Sequence, residues 1–147
     1  QVAEARNYAA ELLTSGKALD KFTEMITAQG GIIKLNKADR GLKMAAIQQP
    51  VQSAISGYVN QLDAYQVGHT AMSLGAGREQ INDVIDHSVG IQLLKKRGDY
   101  VQAGETIAVI HASQEKHLSD AEAGIRAAYE IGPAKPEPTP LILDIVT

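Results

Sequence analysis

Three consecutive residues, Asp86, His87 and Ser88, have the side-chain types that form a hydrolase triad. In a triad the serine hydroxyl attacks, the histidine takes its proton and the aspartate orients the histidine. Side chains of adjacent residues point in divergent directions, so we do not expect these three to converge on one proton path. We interpret the run as a turn that leads into a β-strand.

A glycine-rich run, Gly75-Ala76-Gly77-Arg78, resembles the start of a dinucleotide-binding fingerprint. In that fingerprint a strand precedes the glycines and a further glycine follows them. Here a helical pattern precedes the run, and Gln80 stands in the place of the final glycine. We therefore predict the end of a helix followed by a loop, with a phosphate contact through Arg78 as the weaker alternative.

The other titratable residues do not predict a site. Metal ligands have tight spacings, which the four histidines lack; they are His69, His87, His111 and His117. Asp83 and Asp86 are three residues apart, but paired carboxylates do acid–base work only where their environments separate their pKa values. We interpret Asp83 as a turn or cap residue and Arg97-Gly98-Asp99 as a hairpin turn. We assign no catalytic, cofactor-binding or metal-binding residue.

The composition excludes several classes of protein. The 147 residues include 14 basic and 17 acidic ones, and the basic cluster Lys95-Lys96-Arg97 has no interleaved aromatic residues. A nucleic-acid partner is not expected, because such proteins carry a basic face. A membrane partner is not expected either, because no apolar stretch approaches the ~20 residues of a spanning helix. The lack of cysteine and of a signal peptide favours a cytoplasmic protein.

The N-terminal part has the pattern of a helical hairpin. One helical pattern covers residues 2–13 and a second covers 18–26. Ser15-Gly16 separates the two helices, and Ser15 is predicted to cap the second one, which Gly30-Gly31 ends. Two such helices cannot bury both of their apolar faces by themselves. We therefore expect this chain to be part of a longer one.

The pattern changes along residues 32–50, which have weak periodicity and mixed charge. We predict a loop that ends at Pro50, with a domain boundary near residue 45. This boundary divides the chain into a helical segment, residues 1–45, and a second domain, residues 46–147.

The second domain combines short β-rich stretches with two helical ones, which is typical of an α+β fold. Its predicted elements are strands at 51–56, 58–62, 89–94, 106–110 and 141–146, a helix at 64–74, and a short stretch at 100–101 between two turns. Gly57 is predicted to turn the chain between the first two strands. A further helix is predicted from the capping box at Ser119 to Gly132-Pro133, with Ile131 on its apolar face.

The order of these motifs resembles that of the C-terminal part of pyrimidine-nucleoside and thymidine phosphorylases. The matching stretches are Ser15 to Phe22, Gln29 to Gly31, Gly57 to Val59, Gly75 to Arg78, Asp86 to Gly90, Gly98 to Val101 and Ile110 to Ala112. One departure is Ile32, where the family has an acidic residue. The resemblance implies an α+β (α/β) fold: a β-hammerhead-like C-terminal domain that follows a helical hairpin from the large α/β lobe.

The resemblance also implies a function for the parent enzyme. Members of the family transfer a pentosyl group from thymidine or uridine to phosphate, which is therefore a co-substrate of the parent. The transition state resembles an oxocarbenium ion, so the site must stabilise charge on the leaving base. The family's phosphate loop and base-binding residues lie upstream, and we carry no catalytic residue and no cofactor over to this chain.

By this resemblance the chain is a C-terminal fragment that completes the large lobe and is inactive alone. Its expected partner is the missing N-terminal part of the same enzyme, and the parent is expected to be a homodimer. Selectivity for thymidine and acceptance of uridine both remain open at this point.

Two other classes of function are compatible with parts of the sequence. A free-standing biotinyl- or lipoyl-like carrier would share the pattern from Gly98 to Ile107, but Lys95-Lys96 lacks the usual context of a modified lysine. A protein-interaction module would use the apolar helix faces near the N-terminus, which the missing part of the large lobe explains better.

Overall fold

The computed structural model describes residues 2–37, 41–142, 144 and 146. The chain divides into two compact units, residues 1–43 and residues 44–147. We call them the helical unit and the β unit. None of the described helices has the length and apolar character needed to cross a membrane.

In the helical unit, the part that the structure describes forms two helices, α1 at Val2–Thr14 and α2 at Lys17–Ala28. The prediction that Ser15 caps α2 is wrong. Gly16 occupies the N-cap position with φ of 85°, and its carbonyl accepts a hydrogen bond from the Asp20 amide at 3.0 Å. The Ser15 hydroxyl instead points back to the Leu12 carbonyl, 3.5 Å away in α1. As predicted, α2 ends at the glycine pair, where Gly30 has φ of 79°.

The two helices leave their apolar side chains accessible. Neither helix has a buried residue, and Phe22 of α2 is 44% exposed. An apolar groove of about 710 Å³ lies between α2 and the segment that follows it, and Phe22, Ile26, Ile33 and Leu42 are among its lining residues. We call this feature the α2 groove.

The described residues of the β unit form six strands and two further α-helices. Its elements are β1 at Ile47–Gln52, β2 at Gly57–Leu62, α3 at Ala64–Ala71, β3 at Gly90–Leu93, β4 at Tyr100–Val101, β5 at Thr106–Ala112, α4 at Leu118–Ala128 and β6 at Tyr129–Gly132. A π-helical turn at Met72–Ala76 follows α3, and a 3₁₀ turn at Glu115–His117 precedes α4. The predicted α+β class is confirmed.

The strands form two small antiparallel sheets. The first has the order β1-β5-β3, and the second has the order β4-β2-β6. The central strand of the first sheet places Ala108 between Val51 and Leu93. Helix α4 contributes Ala121, Ile125 and Ala128 to the core, which both sheets line. The buried hydrophobic residues that the strands contribute to the core are Val51, Val59, Val101, Ile107, Ala108, Ile110, Ala112 and Tyr129.

Helix α4 is held closely against its neighbours. A Cβ atom added at Gly124 would lie 2.5 Å from the Thr70 hydroxyl of α3, so only glycine allows this approach. Gln49 of β1 donates a hydrogen bond to the Glu122 carboxylate at 2.6 Å. Arg126 donates to the carbonyl of Gln52. These contacts join α4 to both α3 and the edge of the first sheet.

The first strand differs from its prediction. Strand β1 begins at Ile47, within the predicted loop, and Pro50 lies inside it opposite Val109. Because β1 is an edge strand, it tolerates a residue without an N–H group. The strand ends at Gln52 rather than at residue 56. Gly57 begins β2 instead of forming the turn.

The last helix also differs from its prediction. The 3₁₀ turn runs directly into α4, so Ser119 lies inside the helix and forms no capping box. The helix ends at Ala128, and Ile131 belongs to β6. Strand β6 forms because it pairs with β2, with Leu62 opposite Tyr129. This pairing is a long-range interaction that the helical periodicity of the sequence does not reveal.

Two predicted local features differ as well. The Arg97-Gly98-Asp99 segment is a turn, but it joins β3 of one sheet to β4 of the other and therefore is not a hairpin turn. Of the strand predicted at 141–146, residues 143 and 145 lie outside the described residues. The described residues 141, 142, 144 and 146 are not in a strand.

Candidate functional site

The loop that follows α3 places the Asp86 carboxylate at the centre of a polar cluster. Gly75 lies inside the π-helical turn with φ of 101°, a conformation that favours glycine. Its carbonyl accepts a hydrogen bond from the Asp86 amide at 2.9 Å. This hydrogen bond joins the two ends of the loop between Gly75 and Asp86, and it holds Asp86 in position.

Two serines donate to this carboxylate. The Ser88 hydroxyl lies 2.6 Å from Asp86 Oδ1, and the Ser88 amide donates to the same oxygen at 3.0 Å. The Ser113 hydroxyl, from the segment after β5, donates to Oδ2 at 2.5 Å. We call Asp86, Ser88 and Ser113 the Asp86 cluster.

As predicted, the Asp86-His87-Ser88 run is a turn that leads into a strand, β3, and its three side chains do not converge. His87 is exposed, as divergent side chains require, and only Asp86 and Ser88 contact each other. The reason is an Asx-type turn, in which an aspartate side chain accepts hydrogen bonds from the residue two positions later.

The geometry of the cluster argues against a nucleophilic role for its serines. Each hydroxyl donates its proton to a carboxylate, whereas an activated serine donates to a general base that a third group orients. His117 lines the adjoining cleft, which has a volume of about 270 Å³, together with Ser73 and Gln114. Within the described part of the chain, no hydrogen bond joins His117 to either serine. The cluster ties the loop to the end of β5.

The other candidates occupy separate places. Asp83 accepts hydrogen bonds from the amides of Glu79 and Gln80 at 3.0 and 2.8 Å, which is a turn role. Arg78 is exposed in the loop. His69 in α3 lies beside Tyr65, with ring centroids 6.3 Å apart. Among the described residues, no three His, Cys, Asp or Glu side chains are grouped as a metal site requires.

Tyr129 connects the two sheets. Its ring belongs to β6 of the second sheet, and its hydroxyl lies 2.9 Å from the Lys95 carbonyl and 3.1 Å from the Ile107 carbonyl of the first sheet. Burial raises the pKa of the Tyr129 hydroxyl to about 12, and the charge of Asp99 contributes to this shift. The hydroxyl therefore stays protonated and donates at physiological pH.

An ion pair joins the turns on either side of β4. Lys95 Nζ lies 2.6 Å from Glu105 Oε1, and Glu105 Oε2 accepts from the Gln102 amide at 2.9 Å. The hydrogen bond from Lys95, supported by the one from Gln102, lowers the pKa of Glu105 below its ordinary value. Lys95 is thus committed to an internal contact.

A comparison with protein families identifies the β unit. The model of the pyrimidine nucleoside phosphorylase C-terminal domain matches residues 58–132, which is half of the chain. The chain belongs to this family. The match extends from β2 to the end of β6, and it includes the Asp86 cluster, Tyr129 and the Lys95–Glu105 pair. The resemblance to the C-terminal part of a pyrimidine nucleoside phosphorylase is confirmed.

Some polar residues of this phosphorylase domain have contacts that the sequence does not reveal. Ser113 lies 27 residues from Asp86, and Tyr129 lies 34 residues from Lys95. Tyr129 falls within a helical pattern in the sequence, where its hydroxyl has no evident partner. Only an aromatic residue with a polar tip near the end of an apolar face hints at such a role.

Proposed function

We propose that the β unit of this chain is the C-terminal structural domain of a pyrimidine nucleoside phosphorylase, an enzyme that transfers a pentosyl group from a pyrimidine nucleoside to phosphate. One observation carries the proposal: three sets of polar side chains in the matched domain serve internal contacts. Asp86 holds two serines, Tyr129 joins the two sheets, and Lys95 pairs with Glu105. Groups committed in this way position a domain and leave the chemistry to other parts of the enzyme.

The helical unit, on this proposal, belongs to the large α/β domain and docks on the upstream part of the same enzyme. The α2 groove supports this assignment, because Phe22 and Leu19 are 44% and 47% exposed. Burial of such side chains contributes roughly 1.5–3 kcal/mol each when it is complete. We further propose that the complete enzyme is a cytoplasmic homodimer.

The proposal is tested by measuring phosphate-dependent release of thymine from thymidine, and of uracil from uridine, by ultraviolet absorbance. The 147-residue chain alone should show no turnover while its circular-dichroism spectrum is that of a folded protein. Co-expression with the upstream segment of the same enzyme should restore turnover. Turnover by the isolated chain would overturn the proposal, and the D86N variant would then show whether the Asp86 cluster is responsible.

Two matched variants test whether the helical unit docks through the α2 groove. F22D places a charge in the α2 groove, whereas T27D places the same charge on α2 outside the residues that line the groove. F22D should reduce the yield of restored activity, and T27D should not. Equal yields would contradict a docking role for the groove.

The carrier alternative is less well supported by the contacts. A carrier needs a lysine that is free to be modified on an exposed hairpin, but Lys95 is paired with Glu105 and also donates to the Tyr100 carbonyl at 3.3 Å. The intact mass of the purified chain should show no lipoyl or biotinyl adduct. An adduct on Lys95 or Lys96 would favour the carrier.

A further inference from the structure

The segment that follows β6 crosses the second sheet. The chain leaves β6 at Gly132, at one edge of the sheet order β4-β2-β6. It then reaches the turn that precedes β4, at the opposite edge, where Glu137 and Thr139 contact Arg97. We call residues 133–139 the strap. The strap lies beyond the part of the chain that the family model matches.

One guanidinium group connects the strap to the sheet. Arg97 Nη1 lies 2.8 Å from the Glu137 carbonyl and 3.0 Å from the Thr139 hydroxyl. Its Nε donates to the carbonyl of Asn60 in β2 at 3.0 Å. A planar guanidinium can serve two segments at once because its donors point outward in a fixed fork.

The position of Arg97 is set by an irregularity in β2. The pairing of β2 with β6 shifts register between Val59 and Gln61, so Asn60 is the extra residue of a bulge. A bulged residue is left without its normal ladder partner. Arg97 supplies a donor for the Asn60 carbonyl. The side chain is therefore already held in place on the sheet side, and this orients its other donors toward the strap.

The strap itself is not packed into the core. Lys135, Glu137 and Thr139 are exposed. A surface cavity of about 680 Å³ lies between the strap and the turn that contains Arg97 and Gly98. Fixing the backbone of each residue costs roughly 1–2 kcal/mol of conformational entropy. A segment that is not packed against the core therefore needs specific contacts to offset this cost. The prolines at 136 and 138 reduce this cost by restricting the unfolded chain.

We propose that the strap is a latch that Arg97 holds closed, and that loss of the Arg97 contacts releases residues 133–139 from the turn before β4. This inference concerns the β unit alone and does not depend on the proposed catalytic role of the parent enzyme. The closed strap covers this cavity, and the open strap exposes it to solvent.

The test is ¹⁵N relaxation of the 147-residue chain, measured at the amides of residues 134, 135, 137 and 139. In the wild type, these amides should have order parameters near about 0.85, as rigid backbone does. In R97Q they should fall below about 0.6, while the amides of β5 stay unchanged. R97K should behave like R97Q, because a single ammonium cannot reproduce the fork.

Two controls separate the latch from other effects. K96Q removes the same charge one residue away and should leave the strap rigid. T139V removes one strap contact without touching the Asn60 carbonyl, so it should give an intermediate loss of order, and the double variant should be no more mobile than R97Q. A wild-type strap that is already mobile, or an R97Q strap as rigid as the wild type, would overturn the proposal.

Discussion

The helical unit and the β unit contain amphipathic helices of similar length but use them differently. Helix α4 of the β unit buries Ala121, Ile125 and Ala128 against two sheets. Helix α2 of the helical unit has a comparable apolar face and buries no residue. Since most helical stability in proteins comes from tertiary packing, the β unit has the means to fold by itself. On the proposal made above, the helical unit docks on a further surface, because α1 and α2 have no buried residue.

The largest expected effect comes from shortening one isoleucine side chain in each helix to alanine. Ile125→Ala removes a fully buried side chain of α4 and should reduce the free energy of unfolding by about 2–5 kcal/mol. Ile26→Ala makes the same change in α2, where the side chain is only half-buried, and should cost less than about 1 kcal/mol. Urea denaturation of both variants, followed by circular dichroism, measures the two values. Equal losses would show that the two helices are packed alike.

The Asp86 cluster should give the next largest effect. Asp86→Asn replaces a carboxylate that accepts two serine hydroxyls. Hydrogen bonds to charged groups contribute roughly 1.5–3 kcal/mol, so we expect a loss of about 2 kcal/mol. Ser113→Ala removes one donor and should cost less. If D86N has wild-type stability, the cluster does not hold the loop to the end of β5.

Tyr129→Phe should have a smaller effect, because it removes a hydroxyl and preserves the buried ring. We expect a loss of about 1 kcal/mol, the net value of a typical hydrogen bond. The pH dependence provides a second readout. The folded pKa is raised to about 12 from 10.0, so above pH 10 the unfolded chain loses this proton first and the free energy of unfolding falls as pH rises toward 12. Y129F should lack this part of the decrease, and an identical pH profile for both proteins would contradict the burial of the hydroxyl.

Loss of an ion pair should have the smallest effect on stability. One pair in each unit allows the two units to be compared again. Because the pKa of Glu105 is lowered, its pair with Lys95 should stabilise the β unit above the ordinary pKa, and this contribution should be lost as pH falls through the lowered value. Glu105→Gln should remove that dependence in a titration of stability against pH. Glu24→Gln breaks a solvent-exposed pair with Lys21 in α2 and should change nothing measurable. A clear effect of E24Q would mean that the helical unit is better ordered than its burial indicates.

The sequence predicts the local elements well and the long-range ones poorly. Helices α1, α2 and α3 follow from their periodicity and from the glycines that come after them, and strands β3 and β5 follow from their β-rich runs. The end of α4 does not, because β6 is a strand only through its pairing with β2. Strand β1 is hidden for the same reason, since a proline within it is acceptable only at a sheet edge.

The candidate site divides in the same way. The turn role of Asp83 is predictable, because its partners are three and four residues away. The partnership of Asp86 with Ser113 spans 27 residues, and that of Arg97 with Thr139 spans 42. Local sequence patterns do not reveal contacts between residues so far apart in the sequence. Only the fold brings these side chains together.

Native-state hydrogen exchange of the 147-residue chain tests the central comparison most directly. Amides of β5 and α4 should exchange only through global unfolding of the β unit, because core elements have the highest protection. Amides of α1 and α2 should exchange far faster, through local opening of helices that bury no residue. Protection of α1 and α2 equal to that of β5 would contradict the account, because it would show that the helical unit is complete without a further surface.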